Sequence, residues 1–296
     1  MKPASFEYHR PETLDEALDL LAESGGDAKA LAGGQSLVPA MNFRLARPEV
    51  LVDLNRITAL AYLREGGDGA LEIGAMTRQR AAERSEVVAR RAPLLFEALP
   101  WIAHPQIRNR GTVAGSLAHA DPAAELPAVM VALDARFVLR SRTALRTVPA
   151  QGFYTGLLTT VLRPDELLTE VQIPARQPGA SAAFLEAARR QGDFALVGVA
   201  VELVLDEVGS CASARIALLS VGDGPVLATG AMAVLAGSVA RTAALEEAAR
   251  VAAEIDIDPW GDIHASPGYR RHLARVLVRR ALIKAAERSP HWRNVA

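Results

Sequence analysis

The sequence predicts an α+β protein in three parts: a small β-α-β unit, a mixed α/β unit, and a C-terminal domain of a three-stranded antiparallel sheet with helices. Three observations predict it. Leu31–Arg44, LAGGQSLVPAMNFR, reads as a strand end, a glycine turn and a helix start, in a region where strands alternate with helices. Arg108–Pro127, RNRGTVAGSLAHADPAAELP, is a second small-residue stretch further along. Ala182–Ala188, Ala195–Leu205 and Ala212–Val221 then read as strands joined by short turns, which favours antiparallel pairing. The expected boundaries are 1–56, 57–176 and 180–288, with Pro174–Ser181 as a linker carrying Pro178 and Gly179.

In chain order, Phe6–His9 reads as a first strand and Thr13-Leu-Asp-Glu16 as a capping box. Leu14, Ala17, Leu18 and Leu21 have the spacing of one helix face, and Gly25–Gly26 ends that helix. Strand Ala28–Ala32, the glycine turn, a short helix capped by Ser36, and strand Val50–Leu54 complete the first unit, with parallel pairing. The second unit begins near Ile57. It has a strand around Leu71–Ile73, a helix capped by Thr77 running to about Ala92, and another starting at Pro93–Leu99. Asp121 and Pro122 read as N-cap and N1 of a helix striped by Leu126, Val129, Met130 and Leu133. Strands follow at Phe137–Arg140, Leu145–Val148 and Leu167–Ile173. After the three C-terminal strands, helices are expected at Arg241–Glu254 and Pro267–Ala286. Ser266 caps the last, with a stripe of Tyr269, Leu273, Val276, Leu277 and Ala281.

The glycine turn is the first candidate site: Leu31, Ala32, Gly33, Gly34, Gln35, Ser36 and Leu37. Glycines let backbone N–H groups converge on a ligand, and the start of a helix adds unpaired N–H groups and partial positive charge. The pattern suits a phosphate or pyrophosphate, and it is equally that of an ordinary tight turn. Gly111, Thr112, Ala114, Gly115 and Ser116 are expected to form a second loop of this kind. Two donor-rich loops suit a ligand with two linked phosphates.

Composition excludes several classes. Half of the 296 residues are apolar and the net charge is −1, without the basic excess that nucleic acid would require. Cys211 is the sole cysteine, which excludes an intrachain disulfide and a cluster held by four thiolates of this chain. The start, MKPASFEYHRPETLDEAL, has no apolar h-region, and the uncharged run Pro225–Ala240 is too short for a membrane span, so a cytoplasmic protein is expected. His104, His119, Asp121 and Glu125 match no standard metal-ligand spacing. Gly34-Gln-Ser36 lacks the final glycine of a nucleophile elbow, and there is no P-loop or GxGxxG.

AGGQSLVPAM followed by HPQIRNRGTVAGSLAHADPAAELPA resembles the FAD-binding medium subunit of the carbon monoxide dehydrogenase and xanthine dehydrogenase family of molybdenum hydroxylases. FLEAARRQGDFALVGVAVEL, the GDGP turn and YRRHLARVLVRRAL extend the resemblance over nearly the whole chain. It implies a two-part FAD-binding domain followed by a C-terminal flavoprotein domain. It further implies an electron-transfer subunit carrying FAD, and no catalytic acid–base residue on this chain. The implied partners are a molybdopterin-containing large subunit and a [2Fe-2S] small subunit, assembled as a dimer of heterotrimers.

The resemblance assigns the diphosphate to Ala32–Leu37 and Thr112–Ser116. It places Ile102, Ala103 and Leu168 beside the flavin, and Glu125 on a cofactor hydroxyl. Read alone, the three apolar residues are core and Glu125 is a first-turn carboxylate. Asp121 is both a cap and a possible FAD contact. The chain departs from the family at Phe194, where a relative has Tyr, and at Glu186, where many have Lys. An inward-pointing acid at Glu186 is expected to lower the flavin potential. Ala114 interrupts the usual TIGGS, and Gln35 replaces a frequent His. The departures at Ala114, Glu186 and Phe194 motivate a second reading, an assembly scaffold that has lost FAD; a third is a self-contained FAD oxidoreductase.

Overall fold

The computed structural model describes residues 2–292. The first unit comprises β1 (Glu7–His9), α1 (Leu14–Glu23), β2 (Ala28–Leu31), α2 (Leu37–Asn42) and β3 (Val50–Asp53). Its sheet has the order β1-β3-β2 with both pairs parallel. The capping box at Thr13 and Glu16 is complete, and α1 buries Ala17, Leu18 and Leu21. Ser36 precedes α2 as expected, but its side chain makes no capping bond because its backbone is already helical, at φ −105° and ψ −46°. Leu31 pairs with Asp53, so β2 and β3 end side by side. The carboxyl ends of adjacent parallel strands form a natural crevice for a ligand.

The second unit holds β4 (Leu63–Glu65), β5 (Leu71–Gly74), α3 (Gln79–Glu83), α4 (Glu86–Arg91), α5 (Pro93–Ala98), α6 (Pro105–Arg108), α7 (Val113–His119), α8 (Glu125–Ala132), β6 (Arg136–Arg140), β7 (Leu145–Pro149), β8 (Tyr154–Gly156), β9 (Thr159–Thr160) and β10 (Leu167–Ile173). Five strands form an antiparallel sheet, β4-β5-β10-β6-β7, and β8 and β9 form a separate hairpin. Four expectations are corrected here. The helix expected from Thr77 is broken: the Thr77 hydroxyl donates to Tyr62 O at 2.8 Å, and Ser85 caps a new helix by accepting from Val88 N. The segment expected as a second loop is the first turn of α7, with Thr112 as its N-cap. The following helix begins at Glu125, not Pro122, because Asp121 Oδ1 accepts from Ala123 N in a local turn. Nor does α8 carry a stripe, since all eight of its residues are buried. It packs among α5, α7, β12 and β13.

The third unit is β11 (Ser181–Ala188), β12 (Ala195–Leu205), β13 (Cys211–Leu219), β14 (Val226–Leu227), α9 (Thr229–Leu235), α10 (Thr242–Val251) and α11 (Pro267–Glu287). The three long strands pair antiparallel in sequence order, and the two-residue β14 extends the sheet. The buried face of α11 keeps Leu277 and Ala281 of the expected stripe but takes in Arg270, Ala274 and Val278, while Tyr269 is half exposed. Arg270 is drawn in because its guanidinium donates to Ser220 O and the Asp262 carboxylate, and lies 4.9 Å over the Trp260 ring.

This sheet is apolar on both faces. Val197, Val199, Val201, Ile216 and Leu218 share a core with α9, α10 and α11. Ala182, Phe184, Ala200, Ala217 and Leu219 join the core of the preceding units instead. Phe184 is fully buried, and its ring lies 6.2 Å from that of Trp101. Among the described residues, no helix is long and apolar enough to cross a membrane.

Because Phe184 crosses from the C-terminal sheet into the core of the other units, Phe184→Ala should cost about 3–5 kcal/mol. Denaturant unfolding of the two proteins measures it; a difference below about 1 kcal/mol would mean that the site collapses without loss.

Candidate functional site

The two small-residue segments, distant in sequence, touch through their backbones. A Cβ added to Gly33 would stand 2.6 Å from Arg110 O and 2.7 Å from Gly111 Cα. One added to Gly115 would stand 2.5 Å from Thr112 Oγ1 and 3.4 Å from Ala32 Cβ. Glycine is needed at both for close approach, not for backbone angle. Of the glycines in these two segments, only Gly34 has positive φ, at +73°.

Hydrogen bonds fix this contact from both sides. Asn55 Nδ2 donates to Ala32 O at 2.9 Å, and the guanidinium of Arg78 donates to both Asn55 Oδ1 and Arg110 O. Residues 77–79 hold the second segment by backbone: Val113 N donates to Thr77 O and Gln79 N to Gly111 O, around a bridge between Arg78 and Thr112. Asp53 completes the network. Its carboxylate accepts from Tyr8 OH and from Asn55 N. Burial pushes the Asp53 carboxyl up, but these bonds outweigh it and hold the group below its ordinary value.

The donors are unevenly distributed. Thr112 Oγ1 accepts from Gly115 N, and Ser116 N donates to Thr112 O, so much of the first turn of α7 is satisfied internally. The amides of Gly33, Gly34, Gln35 and Ser36 have no hydrogen-bond partner among the described residues. The first segment therefore supplies the larger share of unpaired N–H groups for an anion.

Two cavities border these segments. One, of about 310 Å³, is lined by Leu31, Ala32, Gly33, Gly34, Gln35, Val38, Pro39, Asp53, Asn55 and Arg110. The other, of about 370 Å³, is lined by Pro100, Trp101, Glu186, Ala187, Ala188, Arg190 and Gln191. The stretch from Pro100 to Arg110 borders both. Within it, buried Arg108 pairs with Glu83 and donates to Ile102 O and Ala103 O. That grip holds Ala103 at φ +40°, a strained angle for a residue with a Cβ.

The expected residues divide as follows. Leu31 to Gln35 line the smaller cavity and Glu186 the larger. Gly111, Thr112 and Gly115 pack the contact between the segments, while Ala114 is buried behind it. Ser36, Leu37, Ser116, Ile102 and Ala103 lie beside these residues without lining either cavity. Leu168 is buried on β10 within the main core. Phe194, just before β12, is 71% exposed.

Glu125 is buried at the start of α8, and burial pushes its carboxyl up to about 7. Glu186 is pushed up to about 8, first by burial and then by the charge of Glu125. Burial thus favours the uncharged form of Glu186.

A family model described as the FAD binding domain in molybdopterin dehydrogenase matches residues 4–176, and one described as the CO dehydrogenase flavoprotein C-terminal domain matches residues 182–285. The chain belongs to this family of FAD-binding medium subunits. The 6-hydroxypseudooxynicotine dehydrogenase complex subunit alpha of Paenarthrobacter nicotinovorans is 44% identical over 98% of this chain and 97% of its own length. The carbon monoxide dehydrogenase medium chain of Hydrogenophaga pseudoflava is 41% identical over 95% of this chain and 97% of its own. The solved reconstituted CO dehydrogenase from Oligotropha carboxidovorans includes a chain that matches with a TM-score of 0.94 and 40% identity, covering 98% of this chain and 100% of that one. The two-part N-terminal region and the antiparallel C-terminal domain are thus those of the medium subunits.

Residues that sequence reasoning missed include Asp53, Asn55, Arg78 and Arg110 around the smaller cavity, and Trp101 and Arg190 at the larger. A signal existed for Asp53 and Asn55, which end a parallel strand beside the glycine turn. None existed for Arg78, whose role depends on a tertiary contact.

Gly33→Ala should part the two segments and weaken FAD binding at least about tenfold, or about 1.4 kcal/mol. Flavin content of the purified variant, with its circular dichroism as a control for folding, tests this. Parental flavin content would show that the contact is dispensable.

Proposed function

We propose that this chain is the FAD-carrying electron-transfer subunit of a molybdenum hydroxylase complex. It takes electrons from the iron–sulfur clusters of a [2Fe-2S] small subunit and passes them to an external acceptor, while substrate is oxidised on a molybdopterin-containing large subunit. One observation carries the reading: two cavities, one with unpaired amides and one walled by Trp101, are bordered by a single stretch of chain. An extended dinucleotide requires such a pair, with a diphosphate cradle and a slot for a flat ring. The residues fit FAD, since Gly33 and Gly115 leave no room for a Cβ and Glu186 Oε2 is buried without a partner.

The chain's own part is to bind and to position. Gly33 to Ser36 offer their amides to the diphosphate, each charge-assisted bond being worth about 1.5–3 kcal/mol before ordering costs. Arg110, exposed at the rim of the same cavity, offers a cation. Glu125, Ile102, Ala103 and Leu168 are the residues that the family resemblance assigns to the cofactor's hydroxyls and ring. FAD, when bound, supplies a centre that exchanges electrons singly or in pairs. Because Cys211 is the sole cysteine, a four-thiolate cluster on this chain is excluded, and reducing equivalents must arrive from other chains. The complex, a dimer of heterotrimers, works in the cytoplasm.

The purified chain should carry FAD noncovalently, since no His or Cys lines either cavity. Denaturation should release the flavin to the supernatant. Dithionite should bleach the bound flavin and an artificial acceptor should restore it. Carbon monoxide, purines, aldehydes or N-heterocycles should do neither until iron–sulfur and molybdenum subunits are added. Anaerobic bleaching of the isolated chain by one of these substrates would contradict the subunit reading and favour a self-contained oxidoreductase.

A further inference from the structure

Glu186 combines three features. It lines the larger cavity together with Trp101. Its Oε2 is buried and has no hydrogen-bond partner among the described residues. Its nearest electrostatic influence is another carboxyl, Glu125, from α8. A carboxylate oxygen buried without a donor or cation would carry a large uncompensated desolvation cost. A neutral carboxylic acid in the same place avoids that cost and presents an O–H donor.

The other charged groups facing this corner leave that conclusion standing. Arg108 and Asp121 act on Glu125 with opposite signs, and Arg108 is already committed to Glu83 and to two backbone carbonyls. Arg190 lines the same cavity without a hydrogen bond or ion pair to Glu186, and Arg189 pairs with Asp193. The His104 ring is packed against Gly192, where a Cβ would come within 2.4 Å of it. None of these supplies Glu186 Oε2 with a partner.

We propose that Glu186 holds the flavin ring as a neutral carboxylic acid, its O–H donating to an acceptor atom on the ring's polar edge, and that the facing Glu125 carboxyl keeps that proton in place. The inference rests on the FAD reading above. Such a donor can be titrated away.

The sign follows from linkage. FAD selects the protonated form of Glu186, whose carboxyl lies at about 8 in the cofactor-free chain. Affinity is therefore full below that value and lost as pH rises through it, falling about tenfold per pH unit above it if the ionised form does not bind. Glutamine offers an N–H donor with no titration. Removing Glu125 removes a like charge, so ionisation of Glu186 should move to lower pH.

The test is titration of the cofactor-free full-length chain with FAD between about pH 6 and about pH 9.5, followed by flavin fluorescence. The wild-type chain should lose at least about fivefold in affinity across the upper part of that range. Glu186→Gln should keep the wild-type low-pH affinity within about threefold and lose the pH dependence. Glu125→Gln should shift the midpoint downward. In the wild-type chain alone, infrared difference spectra should show a protonated-carboxyl C=O band shifting when FAD binds. Wild-type binding that is flat with pH, a Glu186→Gln chain that keeps the wild-type fall, or no carboxylic C=O change would each overturn the assignment while leaving the FAD reading intact. A chain that binds FAD at no pH would overturn both.

Discussion

The contact between the backbones at Gly33 and Gly111 is the constraint on which the site depends. The first glycine segment belongs to a parallel three-stranded sheet, and the second to a unit built on a five-stranded antiparallel sheet. Neither segment alone makes a cavity. They do so because glycine allows the main chains to approach without an intervening side chain, and because Asn55 and Arg78 bridge Ala32 O to Arg110 O. A buried or half-buried guanidinium with two fixed acceptors has little freedom, so the bridge sets distance as well as attraction. The amides left unpaired at Gly33 to Ser36 are then held in a fixed arrangement before any ligand arrives, which lowers the ordering cost of binding.

The second cavity depends on a different joint. Its walls come from Pro100 and Trp101 on one side and from β11 and the turn after it on the other. Their spacing is set by Phe184 packed beside Trp101, and by Glu97, which accepts from Lys284 and Arg288 of the last helix and its cap. Burial opposes ionisation of Glu97, yet the two cations prevail and hold its carboxyl below the ordinary range. The same C-terminal sheet that buries Phe184 delivers Glu186 two residues later, on the opposite edge of the pleat from Leu185 and within reach of Glu125. Packing and the chemistry of the slot are thus consequences of one strand.

Much of this was legible in the sequence, for identifiable reasons. The capping box, the parallel first unit and strands 167–173 and 195–205 follow from local pattern, and all four are present as expected. The Ser36 and Asp121 caps failed because each side chain or backbone had a competing local geometry that spacing does not reveal. The second segment was expected as a loop because its small residues look permissive, whereas Thr112 is a functioning N-cap and turns them into a helix. Helix α8 carried no stripe because helices of its own unit and the sheet of the C-terminal unit both cover it, a circumstance no single element announces. Glu186 was visible as an acid, but the raised pKa of its carboxyl comes from burial and from Glu125 on another segment, and could not be read from its neighbours in sequence.

The most direct test of the account is amide hydrogen exchange, read residue by residue, on the full-length chain with and without FAD. The account requires both segments, Gly33–Leu37 and Thr112–Ser116, to gain protection together on binding, the first more strongly because its amides are the unpaired ones. Protection confined to one segment, or distributed elsewhere while both stay unchanged, would contradict a cradle built from their contact.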